Sequence, residues 1–315
     1  MLPFRCLFCL FSSSVSASIT SYAALGDSYA AGDGAGYPLA FSSCARFSDA
    51  YPIQIANSTE LDISDWHFRN LACGGATTYS VLHTQVPLIG RSDVVTLQVG
   101  GNEADFFRVL NECVHQWQPL STCEQELAKA RRSAQDSDFI SRYSDMLKQA
   151  LEWAKVDARI LVLGYAAFFN AKTDACNKAT FSKTRPQNYL TKERRKELND
   201  LVRTVNTIIK STAEAVGAEY VDIDAIFEGH RFCEEGVREP NSNTERTWFF
   251  NQIFDTYESP SVAVHQLRGQ QEVIVQQGKQ AESPKDFFEL TRVFHPTSMG
   301  HKAIAEHVVS IITGT

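Results

Sequence analysis

A serine and a histidine far apart in the sequence each stand in a motif suited to nucleophilic catalysis. Ser28 lies in LGDSYAAG at 25–32, and His295 lies in FHP at 294–296. An imidazole titrates near neutrality and can take the proton of a serine hydroxyl that attacks a carbonyl carbon. Taken alone, Ser28 is better explained as a helix cap, so the hypothesis needs further residues.

Two more motifs supply groups that can stabilise a negative oxygen. Gly75 lies in NLACGGAT at 70–77, and Asn102 lies in GGNE at 100–103. Glycine lets a backbone N–H approach a ligand closely, and an asparagine amide is a neutral donor for an oxyanion. The four motifs together predict nucleophilic attack by Ser28 with His295 as general base.

Alternating strands and helices place these motifs at one edge of a sheet. Apolar runs predict buried strands at 22–25, 67–71, 94–99, 159–163 and 219–223. Helical periodicity is found at 139–156, 192–216 and 299–312. The alternation predicts an α/β fold with an open parallel sheet covered on both faces. Sites in such sheets form beyond the carboxyl ends of the strands, where these motifs fall.

The order of the four motifs, over residues 26–301, resembles the four sequence blocks of the SGNH hydrolases, also called the GDSL lipase/esterase family. The resemblance implies a three-layer α/β/α sandwich, flavodoxin-like, with a five-stranded parallel sheet. It also implies roles for the four residues. Ser28 is the nucleophile and the first oxyanion donor, Gly75 and Asn102 are further donors, and His295 is the base.

One position departs from the family pattern. Arg292 stands three residues before His295, where the family usually has an aspartate. A guanidinium cannot accept the imidazole proton, so we expect the backbone carbonyl of Arg292 to orient His295, as in some relatives that lack the acid. Asp286 and Glu289 are alternative partners further back along the chain.

Neighbours of the motif residues have structural explanations. Gly74 adjoins Gly75, and the resemblance to relatives that read ACSGAT favours Gly75 as the donor. Asp27 is expected to support the turn by hydrogen bonding, and Glu103 to have a similar role. The basic residues Lys192, Arg194, Arg195 and Lys196 are expected to form the solvated start of a helix.

The N-terminus predicts export from the cytoplasm. A basic start, a short apolar run and a small-residue site indicate a secretory signal peptide at 1–17, although a buried N-terminal strand is an alternative. Removing 1–17 takes Cys6 and Cys9 with it and leaves six cysteines, an even number typical of disulfides in an exported chain. The sequon at Asn57 agrees with export.

All six remaining cysteines follow predicted strands at the edge that carries the motifs. Six cysteines allow 15 pairings. From their positions we predict three disulfides that hold the loops of this edge: Cys44–Cys73, Cys113–Cys123 and Cys176–Cys233.

Composition excludes several classes of partner and cofactor. The net charge of -7 and the pI near 5.7 argue against nucleic acid. No later stretch has the length of a transmembrane helix, and the scattered histidines lack metal-ligand spacing. We therefore expect a monomer with no cofactor, no metal and no stable membrane span, whose partner is a small-molecule or lipid ester.

The chain length fits one domain at 18–315 with a long loop insertion at about 225–294. Aromatic residues cluster in this loop at 248–257. They are expected to line or cover an acyl-chain pocket, or else to form a satellite core beneath the loop.

The sequence therefore predicts a secreted carboxylic ester hydrolase, a lipase or esterase that acts through an acyl-enzyme on Ser28. One alternative is an esterase that removes acetyl groups from a polysaccharide. Another is a catalytically weak secreted binding protein on the same scaffold.

Overall fold

The computed structural model describes residues 19–39, 44–116, 119–241, 245–250 and 292–315. Five parallel strands form one sheet in the order β2-β1-β3-β4-β5. Their bounds are Tyr22–Gly26 (β1), Phe68–Asn70 (β2), Val94–Gln98 (β3), Arg159–Leu163 (β4) and Glu219–Val221 (β5). The chain thus adopts the predicted α/β architecture with five parallel strands.

Helices cover the sheet in two layers. Their bounds are Ser28–Ala31 (α1), Tyr51–Ala56 (α2), Thr78–Ser80 (α3), Phe106–Leu110 (α4), Cys123–Ala134 (α5), Ser137–Trp153 (α6), Lys192–Val216 (α7) and Ser298–Thr313 (α8). Shorter 3₁₀ turns span Asp65–His67, Val86–Leu88 and Ala225–Phe227, and π turns span Val81–Gln85 and Asn111–His115. Helix α2 packs against α8, whereas α5 and α6 pack against α7.

The burial of the central strands explains why their sequences are continuous apolar runs. Every residue of β1 and β3 is buried, as a strand covered on both faces requires. The edge strands β2 and β5 have three residues each and are shorter than the predicted strands. At β2 the reason is local, because His67 belongs to a 3₁₀ turn instead of the strand.

The strand order creates a crevice between β1 and β3. The chain leaves β1 towards β2 on one side and later returns to β3 on the other side, so the loops after β1 and β3 diverge. Open α/β sheets bind ligands at such a switch point. Ser28 directly follows β1, and Asn102 follows β3.

Local signals set the helix ends. Helix α7 has the predicted bounds, because the Thr191 side chain accepts the N–H of Arg194 at its start and Gly217 takes φ +83° at its end. Helix α5 was not predicted, although a capping box between Thr122 and Gln125 marks its start. Helix α6 ends at Trp153, three residues before the predicted end.

Three disulfides join loops at the carboxyl edge of the sheet. They are Cys44–Cys73, Cys113–Cys123 and Cys176–Cys233, which are the predicted pairs. Each cross-link of this kind stabilises a fold by about 2–4 kcal/mol, chiefly by restricting the unfolded chain. Cys73 lies in the motif of Gly75, so that motif is tied covalently to the loop of Cys44, and the other two disulfides close neighbouring loops of the same edge.

Several predictions concern residues outside the described part of the chain. They are the signal peptide at 1–17 with Cys6 and Cys9, the alternative partners Asp286 and Glu289, and residues 251–291 of the predicted loop insertion. Within the residues described, no helix combines the length and apolar character needed to cross a membrane.

The prediction of a fully solvated basic start for α7 was wrong at Arg195. Its side chain is 0% exposed. Its guanidinium donates to the carbonyl oxygens of Leu190 at 2.9 Å, Thr173 at 2.8 Å and Asn170. A planar group with five donors can bind several carbonyls at once, so Arg195 anchors the long loop between β4 and α7.

Replacing this buried arginine should destabilise the protein. Arg195→Met is expected to lower the free energy of unfolding by about 3 kcal/mol, because three buried or partly buried carbonyl oxygens lose their donors. The matched control is Lys196→Met on the same helix, where the side chain is 69% exposed and pairs with Asp200. The control should change stability by less than about 0.5 kcal/mol. Urea unfolding with the disulfides oxidised measures both, and equal losses would contradict the anchoring role.

Candidate active site

The turn that carries Ser28 depends on a glycine at the end of β1. Gly26 has φ +144°, and a Cβ at this position would lie 2.2 Å from the carbonyl oxygen of Gln98 in β3. The buried side chain of Gln85 accepts the Gly26 N–H at 2.8 Å and donates to the Gly26 carbonyl at 3.0 Å. β1 therefore ends against β3, and Ser28 starts α1 at the switch point.

The buried carboxyl of Asp27 ties the loops after three strands together. Its Oδ1 accepts the Tyr29 N–H at 2.9 Å, and its Oδ2 accepts the Tyr165 hydroxyl at 2.6 Å. The Tyr165 oxygen in turn accepts the Gly101 N–H at 3.0 Å. Burial raises the pKa of Asp27 to about 7, although the bonds from Tyr165 and Tyr29 oppose the shift. Asp27 thus supports the turn by hydrogen bonding.

The imidazole of His295 lies beside Ser28. Its Nε2 is 2.7 Å from the Ser28 Oγ, a distance at which a neutral imidazole can accept the hydroxyl proton. Burial lowers the pKa of His295 to about 4, while the carbonyls of Val293 and Arg292 act in the opposite direction. The ring is therefore neutral, and able to act as a base, over most of the pH range.

The second ring nitrogen faces main-chain carbonyls. His295 Nδ1 lies 3.4 Å from the Val293 carbonyl oxygen, whereas the Arg292 carbonyl accepts the backbone N–H of His295 at 2.9 Å. The sequence analysis named the Arg292 carbonyl first and did not name Val293, but the tight turn at 292–295 brings the Val293 carbonyl to the ring nitrogen. The Arg292 side chain is buried, and its guanidinium lies 5.1 Å from the centre of the Phe250 ring.

The two adjacent glycines differ in the availability of their N–H groups. Gly74 donates to the Cys44 carbonyl at 2.9 Å, whereas Gly75 donates to none of the described residues. Gly75 has φ +75°, and no atom of the described residues lies within 4 Å of where its Cβ would be. The N–H of Ser28 likewise has no acceptor among the described residues. Open space and a free donor distinguish Gly75 from Gly74.

Asn102 is held from one side and open on the other. Its Nδ2 donates to the Ala76 carbonyl at 2.8 Å, which uses one of its two N–H bonds. The next residue, Glu103, accepts the Thr78 N–H through Oε1. These two bonds connect the Gly75 motif to the Asn102 motif and fix the amide that carries the second N–H.

The described part of the aromatic cluster is core. Trp248 stacks on His230 at 3.7 Å, and Phe249, which is buried, stacks on Phe227 at 4.8 Å. Phe249 belongs to the main hydrophobic core and Trp248 packs against it, whereas Phe254 and Tyr257 lie outside the described residues.

Residue 250 has a role that the sequence did not reveal. Phe250 donates its N–H to the His295 carbonyl at 3.0 Å and accepts the Phe294 N–H at 2.7 Å. The start of the aromatic segment thus pairs with the segment that carries the imidazole.

Tyr165 and Gln85 were also missed as parts of the site. Tyr165 lies two residues after β4, so its place at the motif edge was available as a signal. Gln85 gave no signal in the sequence, because a glutamine that hydrogen-bonds to a glycine far away in the chain stands in no local pattern. Among the described residues, no group of three or more His, Cys, Asp or Glu is arranged to hold a metal ion.

Comparisons with known proteins identify the family of this chain. Residues 24–303 match the GDSL-like Lipase/Acylhydrolase family. A lipase of Streptomyces rimosus is 31% identical over 216 residues, covering 68% of this chain and 74% of the relative. Lipase 1 of Streptomyces coelicolor is 30% identical over 219 residues, covering 69% of this chain and 74% of the relative.

Solved structures show the same fold. The crystal structure of the extracellular lipase from Streptomyces rimosus superposes with a TM-score of 0.65 at 24% identity, covering 92% of this chain and 99% of that one. Phospholipase A1 from Streptomyces albidoflavus gives a TM-score of 0.65 at 24% identity, covering 93% and 99% of the two chains. The family match spans most of the sequence, so the chain belongs to the GDSL-like lipase/acylhydrolase family.

Proposed function

We propose that the protein hydrolyses carboxylic esters through an acyl-enzyme on Ser28, with His295 as the base, and that it acts on acyl esters of lipids or small alcohols. The observation that carries the proposal is the 2.7 Å contact between Ser28 Oγ and His295 Nε2. A serine hydroxyl this close to a neutral imidazole is an activated nucleophile.

In the proposed reaction, His295 Nε2 takes the Ser28 proton as Oγ forms a bond to the ester carbonyl carbon. The carbonyl oxygen becomes an oxyanion, which the N–H groups of Ser28, Gly75 and Asn102 stabilise. Cleavage of the C–O bond releases the alcohol, which takes the proton from His295. Water then gives a proton to His295 and attacks the acyl-enzyme, and the carboxylic acid leaves as Ser28 regains its proton.

Main-chain carbonyls take the place of the usual aspartate in this proposal. The imidazolium formed during the reaction would donate from Nδ1 towards the carbonyls of Val293 and Arg292, whose effect is to raise the pKa of His295. A neutral carbonyl stabilises an imidazolium less than a carboxylate does. We therefore propose that positioning, more than charge, is what the orienting group supplies.

Exposed apolar residues around the motifs favour a lipid acyl chain over a sugar. Tyr79 is 63% exposed, Phe107 39% and Met299 42%. They follow Gly75, Asn102 and His295 by four or five residues, on helices that start at the motif edge. The relatives that match the sequence are lipases, which agrees with this choice.

We also propose that the protein acts outside the cytoplasm, as a monomer. Three disulfides favour an oxidising compartment, and a structural neighbour is an extracellular lipase. The net charge of -7 disfavours nucleic acid as a partner.

The first test is hydrolysis of p-nitrophenyl esters from acetyl to palmitoyl. Ser28→Ala should abolish turnover without changing the unfolding midpoint, because it removes only the attacking oxygen. Ser211→Ala on α7, whose hydroxyl donates to the Ile208 carbonyl, should keep full activity. Turnover by Ser28→Ala would refute the nucleophile. A preference for long chains supports lipid esters, whereas a strict preference for acetyl would favour the carbohydrate esterase.

Activity should persist in mildly acidic solution. The base works when neutral, so kcat/KM should rise with pH through the His295 pKa and then reach a plateau. Burial lowers that pKa from 6.5 to about 4, so the midpoint should lie well below 6.5. The measurement is kcat/KM for p-nitrophenyl acetate against pH, read at an isosbestic wavelength. A midpoint at or above the ordinary histidine value would contradict the described environment.

The side-chain oxyanion donor can be tested by removing it. Asn102→Ala should lower kcat by about 10²- to 10³-fold with little change in KM, because the donor acts on the developing negative oxygen. Asn188→Ala is the matched control, since its amide also donates to a main-chain carbonyl, that of Cys113 at 3.0 Å. Steady-state kinetics compare the two. Similar kcat values for both variants would exclude Asn102 from the oxyanion hole.

A further inference from the structure

The segment that carries His295 is held in a strained conformation. Phe294 has φ +65°, a left-handed value that is costly for a bulky residue other than glycine. Such strain persists only where surrounding contacts over-determine it. Its side chain is buried against the rings of Phe168 and Phe232, at 5.0 Å and 4.8 Å. Ring packing holds the side chain, and a separate contact holds the backbone.

That contact comes from the neighbour of the nucleophile. The hydroxyl of Tyr29 donates to the Phe294 carbonyl at 2.6 Å. The Tyr29 side chain is 5% exposed, and burial raises its pKa well above the ordinary value. The phenol therefore stays protonated and remains a donor throughout the working pH range.

Tyr29 also touches the imidazole itself. Its ring centre lies 4.8 Å from that of His295, with the planes tilted by 46°. Its backbone N–H binds the Asp27 carboxylate at 2.9 Å. One residue thus contacts the turn of the nucleophile, the ring of the base and the backbone that precedes the base.

We propose that Tyr29 is a positioning residue that orients His295 towards Ser28 through the backbone at Phe294. The inference rests on the proposed function, since it assumes that the Ser28–His295 pair is catalytic. In an ordinary triad a carboxylate fixes the ring through Nδ1. Here, within the described residues, the hydrogen-bond contact of Nδ1 is a long one, 3.4 Å from the Val293 carbonyl oxygen. The orientation of the imidazole depends on the backbone that carries it. The Tyr29 hydroxyl fixes that backbone at Phe294.

The test is Tyr29→Phe, which removes the hydroxyl and keeps the ring. Its matched control is Tyr22→Phe, because Tyr22 is fully buried and its hydroxyl lies 2.7 Å from the Thr96 hydroxyl, away from His295. Each variant is titrated with a serine-directed phosphonate to count working sites. Then kcat and KM are measured for p-nitrophenyl butyrate, and the denaturation midpoint is compared.

Tyr29→Phe should lower kcat per titrated site by about 10- to 100-fold, since misplacing a catalytic group by about 1 Å can cost 10²-fold. KM should change by less than about 2-fold, because ground-state binding is not altered. Tyr22→Phe should keep the wild-type kcat per site even where its denaturation midpoint falls as far as that of Tyr29→Phe.

Two results would overturn the inference alone. They are a wild-type kcat per site in Tyr29→Phe, and an equal fall of kcat in both variants. A wild-type protein that neither hydrolyses esters nor reacts with the phosphonate would overturn the proposed function, and this inference with it.

Discussion

The buried carboxyl of Asp27 is the contact on which the arrangement of the active-site edge depends. It joins the turn after β1 to Tyr165 after β4, and through the Tyr165 oxygen to Gly101 after β3. A carboxyl buried this far must have its hydrogen-bonding capacity met. Its donors come from the backbone beside Ser28 and from the neighbouring loops, so satisfying Asp27 also brings those loops into register.

The base is positioned by a different kind of constraint. His295 follows a residue with positive φ, and among the described residues it is a main-chain carbonyl of that turn, that of Val293, that faces its Nδ1. Carbonyl dipoles belong to the backbone and cannot rotate independently of it. The accuracy of the Ser28–His295 contact is therefore set by whatever holds the 292–295 turn. Here that means the pairing with Phe250, the aromatic packing of Phe294 and the hydroxyl of Tyr29.

Loops that carry function are ordinarily the least stable parts of a fold, and this chain stiffens them in two ways. Three disulfides close loops at the carboxyl edge of the sheet. The guanidinium of Arg195 donates hydrogen bonds to carbonyls of the long loop between β4 and α7. The disulfides and Arg195 restrict loops and add no group to the site. Restricted loops suit a reaction that depends on preorganised donors.

The sequence by itself determined the five strands, the helices α6, α7 and α8, the four motifs and the edge of the sheet at which they meet. These features are local or periodic, and parallel strands necessarily bring their carboxyl ends to one edge. The same rule placed all six cysteines of 18–315 at this edge, because each of them follows a strand. The end of α6 and the burial of Arg195 were predicted wrongly, since both depend on packing against residues distant in sequence.

Only the tertiary structure decided which of two adjacent glycines keeps a free N–H, because the Cys44 carbonyl that engages Gly74 comes from another loop. The same holds for the Val293 carbonyl that faces the imidazole ring, and for the Tyr29 hydroxyl that donates to the Phe294 carbonyl. Hydrogen bonds between residues 265 positions apart leave no periodic signal in the sequence. They exist only once the sheet has brought both ends of the chain to the same edge.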